Sequence, residues 1–117
     1  MDTPETKVQV DEVQGVGVIR FEGDITSFSE AAVLGTYRAL PEGGYTLTLL
    51  DFTKVEYINS SGIALIITLL MEAGKTGRKV HCFGLTPHFQ KVFQMVGLLR
   101  YTALHASEAE ALAAVRA

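Results

Sequence analysis

Leu49-Leu50-Asp51-Phe52-Thr53-Lys54-Val55-Glu56-Tyr57-Ile58-Asn59-Ser60-Ser61-Gly62-Ile63 decides how this chain is read, because an extended apolar run hands over to a helical one at two adjacent hydroxyls. Upstream, Tyr45 to Phe52 is nearly continuously apolar, as a strand covered on both sides requires, and is expected at the centre of a sheet. Downstream, Ile63, Ile66, Ile67 and Leu70 recur at helical spacing with Leu65 and Leu69 beside them, until Gly74-Lys75-Thr76-Gly77 ends the helix. Asn59 or Ser60 is placed to cap that helix, at a worth of about 1 kcal/mol. The same position suits a phosphate, since first-turn amides and the positive dipole end stabilise an anion. The local sequence leaves both uses open.

Working outward, Val8, Val10 and Val13 lead to Gly15-Val16-Gly17, and Val18-Ile19-Arg20-Phe21-Glu22 reads as a second strand closed by Gly23-Asp24. Ser27 and Glu30 have capping-box spacing, and Ala31, Leu34 and Tyr37 form the stripe of a first amphipathic helix ending near Leu40-Pro41. Glu42-Gly43-Gly44 breaks the pattern before the central strand. After the second helix, Val80-His81-Cys82-Phe83 is a short strand. Thr86-Pro87 then opens a third helix with Phe89, Val92, Phe93 and Val96 on its apolar side, stopped by Gly97. Tyr101-Thr102-Ala103-Leu104 is a weaker strand, and Ser107 with Glu110 opens an alanine-rich helix through Ala109, Leu112 and Val115. Alternation of strand and helix calls for a largely parallel sheet with crossover helices, the initial pair being antiparallel. In such sheets the functional loops follow the carboxyl ends of strands, which directs attention to Gly23-Asp24-Ile25-Thr26-Ser27 and Asn59-Ser60-Ser61-Gly62.

The 117 residues fit one domain, and 48% hydrophobic against 20% charged residues is the composition of a packed core rather than a disordered tail. A formal charge of −3 provides no global attraction to nucleic acid or to an anionic membrane, so neither is an expected partner. The polar, acidic opening Met1-Asp2-Thr3-Pro4-Glu5-Thr6 differs from a secretory signal, and a cytoplasmic location is expected. The longest apolar run, Ile63 to Met71, is far below the roughly 20 residues that cross a bilayer. The single Cys82 reads as a small buried thiol, and no disulfide can form within the chain.

Three motifs are set aside. Gly74-Lys75-Thr76 resembles the end of a phosphate-binding loop, but Leu69 stands where the earlier glycine is needed and a helix, not a strand, precedes it. His81, His88 and His105 lack the close spacing of metal ligands, so no metal or other cofactor is expected. Ser60 and Ser61 lack the Gly-x-Ser-x-Gly elbow of a serine hydrolase, which makes nucleophilic catalysis the weakest alternative and no catalytic residue is assigned.

Gly23-Asp24, Leu50-Asp51-Phe52, Val55, Ile58-Asn59-Ser60-Ser61-Gly62-Ile63, Gly77, Phe83-Gly84 and Val96-Gly97-Leu98 together resemble the STAS domains, in particular the bacterial anti-sigma factor antagonists. The resemblance spans nearly the whole chain, 1–117, as a single domain, and is most specific at the Ser-Ser-Gly segment. It implies an α/β fold of STAS type, with a mixed, mainly parallel sheet of about five strands and about four helices. It also implies a non-enzymatic partner switch. The unphosphorylated antagonist binds an anti-sigma factor that is itself an ATP-dependent serine kinase, which releases the sigma factor. Phosphorylation of the serine matching Ser60 blocks binding, and a serine phosphatase restores it. Asp24, Thr26, Asn59, Ser60, Ser61 and Gly62 are the partner-facing residues that the resemblance implies. Asn59 departs from the pattern, because switching members usually carry aspartate at that place; it keeps the cap and removes a charge. The alternative implied by the family is a constitutive, unphosphorylated STAS interaction module in a signalling scaffold or transport complex.

Overall fold

β1 (Lys7–Val13) and β2 (Val16–Glu22) form an antiparallel hairpin whose turn residues, Gln14 and Gly15, both have positive φ, 55° and 81°. This backbone matches the twist of the strands it joins. The second strand therefore begins at Val16, two residues before the expected Val18. The structure, a computed structural model, describes residues 6–41 and 47–116. The acidic opening Met1 to Glu5, the Glu42-Gly43-Gly44 break, Tyr45 and Thr46 of the expected central strand, and the side chain of Val115 lie outside that description.

From β2 the chain returns to the sheet three times. It passes through a turn of 3-10 helix (Ser27–Ser29), a π-helical turn (Ala31–Gly35) and a short helix α1 (Thr36–Arg38) into β3 (Leu47–Lys54). α2 (Ser60–Lys75) leads to β4 (Lys79–Phe83), and α3 (Pro87–Met95) with a 3-10 turn (Leu98–Arg100) leads to β5 (Leu104–His105). α4 (Glu108–Arg116) closes the chain. The five-stranded sheet has the order β1-β2-β3-β4-β5, parallel everywhere except the hairpin, with β3 at its centre.

Period-two patterning divides the sheet into two faces. Ile19, Phe21, Leu50, Phe52, Val80 and Cys82 face the larger core with Ile66, Leu69 and Leu70 of α2 and Phe93 of α3. Phe52 is its hub, with ring centroids 5.4 Å from Phe21 and 6.0 Å from Phe93. Full burial of each such ring contributes about 1.5–3 kcal/mol. The opposite face carries Val18, Leu49 and Phe83 beneath Ala111 and Leu112 of α4. Arg20 ties this second layer together: its Nε donates to Asp11 at 2.6 Å, and its Nη1 to Asp51 at 3.0 Å and Glu108 at 2.6 Å. One guanidinium thus joins β1, β2, β3 and α4, and the three carboxylates raise its pKa further above the usual arginine value.

Several local expectations are corrected. The first helix is irregular, and its cap is Thr26, not Ser27: the Thr26 side chain accepts from Phe28 N at 3.2 Å, while the Ser29 hydroxyl accepts from Thr26 N at 2.8 Å. The box therefore sits one residue earlier than Ser27 and Glu30 would place it, because buried Ser29, rather than exposed Glu30, is positioned to return the bond. Ala31 is exposed and Val33 takes its place in the core. Val96 is 49% exposed because it lies beyond the last turn of α3, where Gly97 reverses the chain at φ 80°. In α4, Ala109 is exposed and Ala111 buried, and Glu110 accepts from Ala106 N, not from Ser107 N, while the Ser107 hydroxyl does accept from Glu110 N. Gly74-Lys75-Thr76 forms the end of α2 and leads into β4, which agrees with reading it as a helix stop.

Candidate functional site

The loops after β2 and β3 are stitched to one another. Ile25 and Ile58 form a parallel bridge, in which Ile25 N donates to Tyr57 O at 3.0 Å and Asn59 N donates to Ile25 O at 3.1 Å. Both isoleucines are buried, so the seam is anchored in the main core. This seam brings Asp24 and Thr26 to the same end of the sheet as Asn59, Ser60, Ser61 and Gly62, joining the two sets of residues singled out from the sequence.

Asn59 is the cap of α2. In extended backbone (φ −85°, ψ −179°), its Oδ1 accepts from Gly62 N at 2.8 Å and its carbonyl from Ile63 N at 2.9 Å. Ser60 and Ser61 are consequently the first and second helical residues, and both are exposed. Their amides are the first-turn donors that the cap leaves over, so an anion on Ser60 would lie beside them and at the positive end of a 16-residue helix. Gly62 is required for close approach: a Cβ there would stand 2.2 Å from Ile25 O and 2.8 Å from Ile58 Cγ2. Only a residue without a side chain lets α2 start against the seam.

The loop bearing Asp24 is held from the N-terminal side. Thr6 Oγ1 donates to Asp24 O at 2.7 Å and lies within hydrogen-bond distance of Ser29 Oγ, at 2.5 Å, and Ser29 is buried. Thr26 uses its hydroxyl as the cap of the following turn. Glu22, Gly23, Asp24, Thr53, Lys54 and Glu56 line an open cleft of about 450 Å³ next to the seam. Lys54 lies 3.9 Å from Glu22, and the cleft lining holds three carboxylates against one ammonium.

Two aromatic residues on these loops are exposed without any motif to mark them. Phe28 is 77% exposed on the turn capped by Thr26, and that turn packs against α2. Tyr57 is 52% exposed, its ring 6.4 Å from Phe89 in an edge-to-face contact. Phe28 continues the three-residue spacing of Ala31, Leu34 and Tyr37, so no local pattern marks it as uncovered. The sequence also hid a histidine pair. His81 Nδ1 and His105 Nε2 are 3.0 Å apart across β4 and β5, a neighbour relation that only strand pairing creates. Among the described residues, no group of three or more His, Cys, Asp or Glu could hold a metal ion. No helix among them is long and apolar enough to cross a membrane.

The family model described as "Mlab, STAS domain" matches residues 8–112. The chain belongs to the STAS domain family. This STAS domain is similar to the Bordetella bronchiseptica protein named "Putative anti-sigma factor antagonist BtrV", with 22% identity over 110 residues covering 94% of this chain and 95% of that one. Among solved structures, an anti-sigma factor antagonist from Mycobacterium paratuberculosis superposes with a TM-score of 0.83 at 21% identity, covering 96% of this chain and 95% of the other. The anti-sigma factor antagonist SpoIIAA in its unphosphorylated form superposes with a TM-score of 0.72 at 24% identity, covering 94% and 98%. These likenesses establish the STAS fold, the five-stranded mixed sheet with helices that the sequence led one to expect.

Proposed function

We propose that this STAS domain is an anti-sigma factor antagonist working in the cytoplasm as a partner switch. Its unphosphorylated form binds an anti-sigma factor with serine kinase activity and thereby releases a sigma factor. Phosphorylation at Ser60 blocks that binding, and a serine phosphatase restores it. The observation that carries the reading is the position of Ser60: exposed at the first residue of α2, on a rigid seam where Asp24, Thr26, Asn59, Ser61 and Gly62 converge. The relatives named as antagonists support the same role.

In the transfer step, Ser60 Oγ attacks the γ-phosphorus of ATP, the bond to the departing ADP breaks, and a base on the kinase takes the hydroxyl proton. The domain itself is a substrate and a binding protein. The product carries about −1.5 to −2 charges, which must be desolvated for this face to be covered again. A penalty of about 1.4 kcal/mol already weakens association tenfold. Incubation with the cognate kinase and ATP should add phosphate at Ser60, and labelling that persists in Ser60→Ala would overturn the assignment.

A second reading, a constitutive interaction module in a signalling scaffold or transport complex, is favoured by Asn59. It caps α2 fully while lacking the charge of the aspartate usual in switching members. Recovery of transporter subunits without a serine kinase in affinity capture from the native cell would select this reading.

A further inference from the structure

We infer that Phe28 and Tyr57 are the apolar anchors by which the anti-sigma factor grips this face, set within an acidic rim that selects a partner with basic residues around its sockets. The inference rests on the partner-switch reading above and names the residues that supply its binding energy. Each ring is exposed, 77% for Phe28 and 52% for Tyr57, although each sits on a segment that is otherwise well held. Phe28 N is bonded to the Thr26 cap, and the turn beneath it is fastened through buried Ser29 and Thr6. Tyr57 is held through its carbonyl by Ile25 N and through its ring by Phe89. Large rings on rigid backbone lose little conformational freedom when covered, and desolvated aromatic residues near the centre of an interface carry most of its energy.

The two rings lie on the two loops that meet at the seam where the helix bearing Ser60 begins. Phe28 lies three residues beyond Ile25 and Tyr57 one residue before Ile58, and those isoleucines form the bridge against which α2 begins. Ser60 opens α2 beside that seam. A neutral hydroxyl is tolerated within an apolar contact, whereas a phosphate dianion must shed its water for the same face to be covered. The switch therefore acts on the contact that holds the partner. Around it, Glu22, Asp24 and Glu56 share a cleft with the single ammonium of Lys54, and Glu30 is exposed two residues after Phe28. This rim calls for lysine or arginine on the opposing surface, so association should slow as salt rises.

The test uses the full chain and its purified kinase anti-sigma factor in a calorimetric titration with ADP, which offers no γ-phosphate for transfer to Ser60. Phe28→Ala and Tyr57→Ala are each expected to weaken binding at least tenfold, with the thermal midpoint of Phe28→Ala unchanged. Tyr57→Phe keeps the ring contact with Phe89 and is expected to bind within about threefold of the parent, which separates loss of the anchor from loss of the fold. Met95→Ala, 84% exposed at the far end of α3, is the control and should leave affinity unchanged. If the parent chain binds and both alanine variants bind within twofold of it, the anchors are wrong while the partner-switch reading stands. An equal loss from Met95→Ala means general apolar adhesion and also overturns the anchors. If the parent chain does not bind, the partner-switch reading falls and the anchors fall with it.

Discussion

At Gly62 a single hydrogen atom in place of a methyl group decides whether two loops can meet. Because the added Cβ of Gly62→Ala would meet backbone at 2.2 Å rather than a side chain that could swing away, relief requires the seam itself to open. The expected cost is about 3 kcal/mol or more, at the upper end of overpacking, read as a fall in the urea midpoint. Asn59→Asp should act in the opposite direction. The carboxylate can keep the bond to Gly62 N and adds a negative charge at the helix start, so stability should rise by about 0.3–1 kcal/mol at low salt and the gain should fade as salt is added. A helix cap at Asn59 or Ser60 was legible in the sequence, since Asn or Ser before an apolar periodic run is a local signal, and the structure assigns it to Asn59. Gly62 as a spacer between loops was not legible, because Ile25 lies far away in the chain and approaches only after the sheet forms.

Among the described strands, β5 is the shortest. β5 has two residues and is joined to β4 by backbone bonds from Cys82 N to Ala103 O and from Gly84 N to His105 O, together with the histidine pair. Burial, then the neighbouring His105 and Lys79, lowers the pKa of His81 from its ordinary 6.5. Below pH 6.5 the unfolded chain begins to bind a proton that the folded chain still refuses, so stability is full above 6.5 and falls as pH drops toward the lowered value. Urea midpoints measured at pH 7.5 and 5.5 should show this fall, and His81→Gln should reduce it. Strand alternation and helix spacing made the order of these elements readable. The irregular segment from Ser27 to Arg38 was less so, because its geometry answers to buried Ser29 and its bond to Thr6 rather than to its own apolar stripe.

Across the whole molecule, one sheet separates a large apolar core from a smaller layer held by α4 and Arg20. Cys82 lies in the large core, where burial pushes its thiol up to about 12, with the Thr102 hydroxyl acting weakly the other way. A thiol reagent at pH 8 should therefore leave the folded protein unlabelled and modify Cys82 only on unfolding in urea; rapid labelling of the native chain would contradict this burial. The sequence by itself determined the alternation of strands and helices, the central place of β3, the cap at the start of α2 and the STAS resemblance. These are carried by residues adjacent in the chain, or repeating at fixed short periods, and short-range sterics and hydrogen bonding are sufficient to express them. Tertiary structure alone decided that Ile25 would meet Ile58, that His81 would face His105, that Arg20 would gather Asp11, Asp51 and Glu108, and that Phe28 and Tyr57 would remain uncovered on the loops joined at that bridge. Those relations join distant positions through a sheet whose register is set by the burial of entire faces, so no local pattern records them.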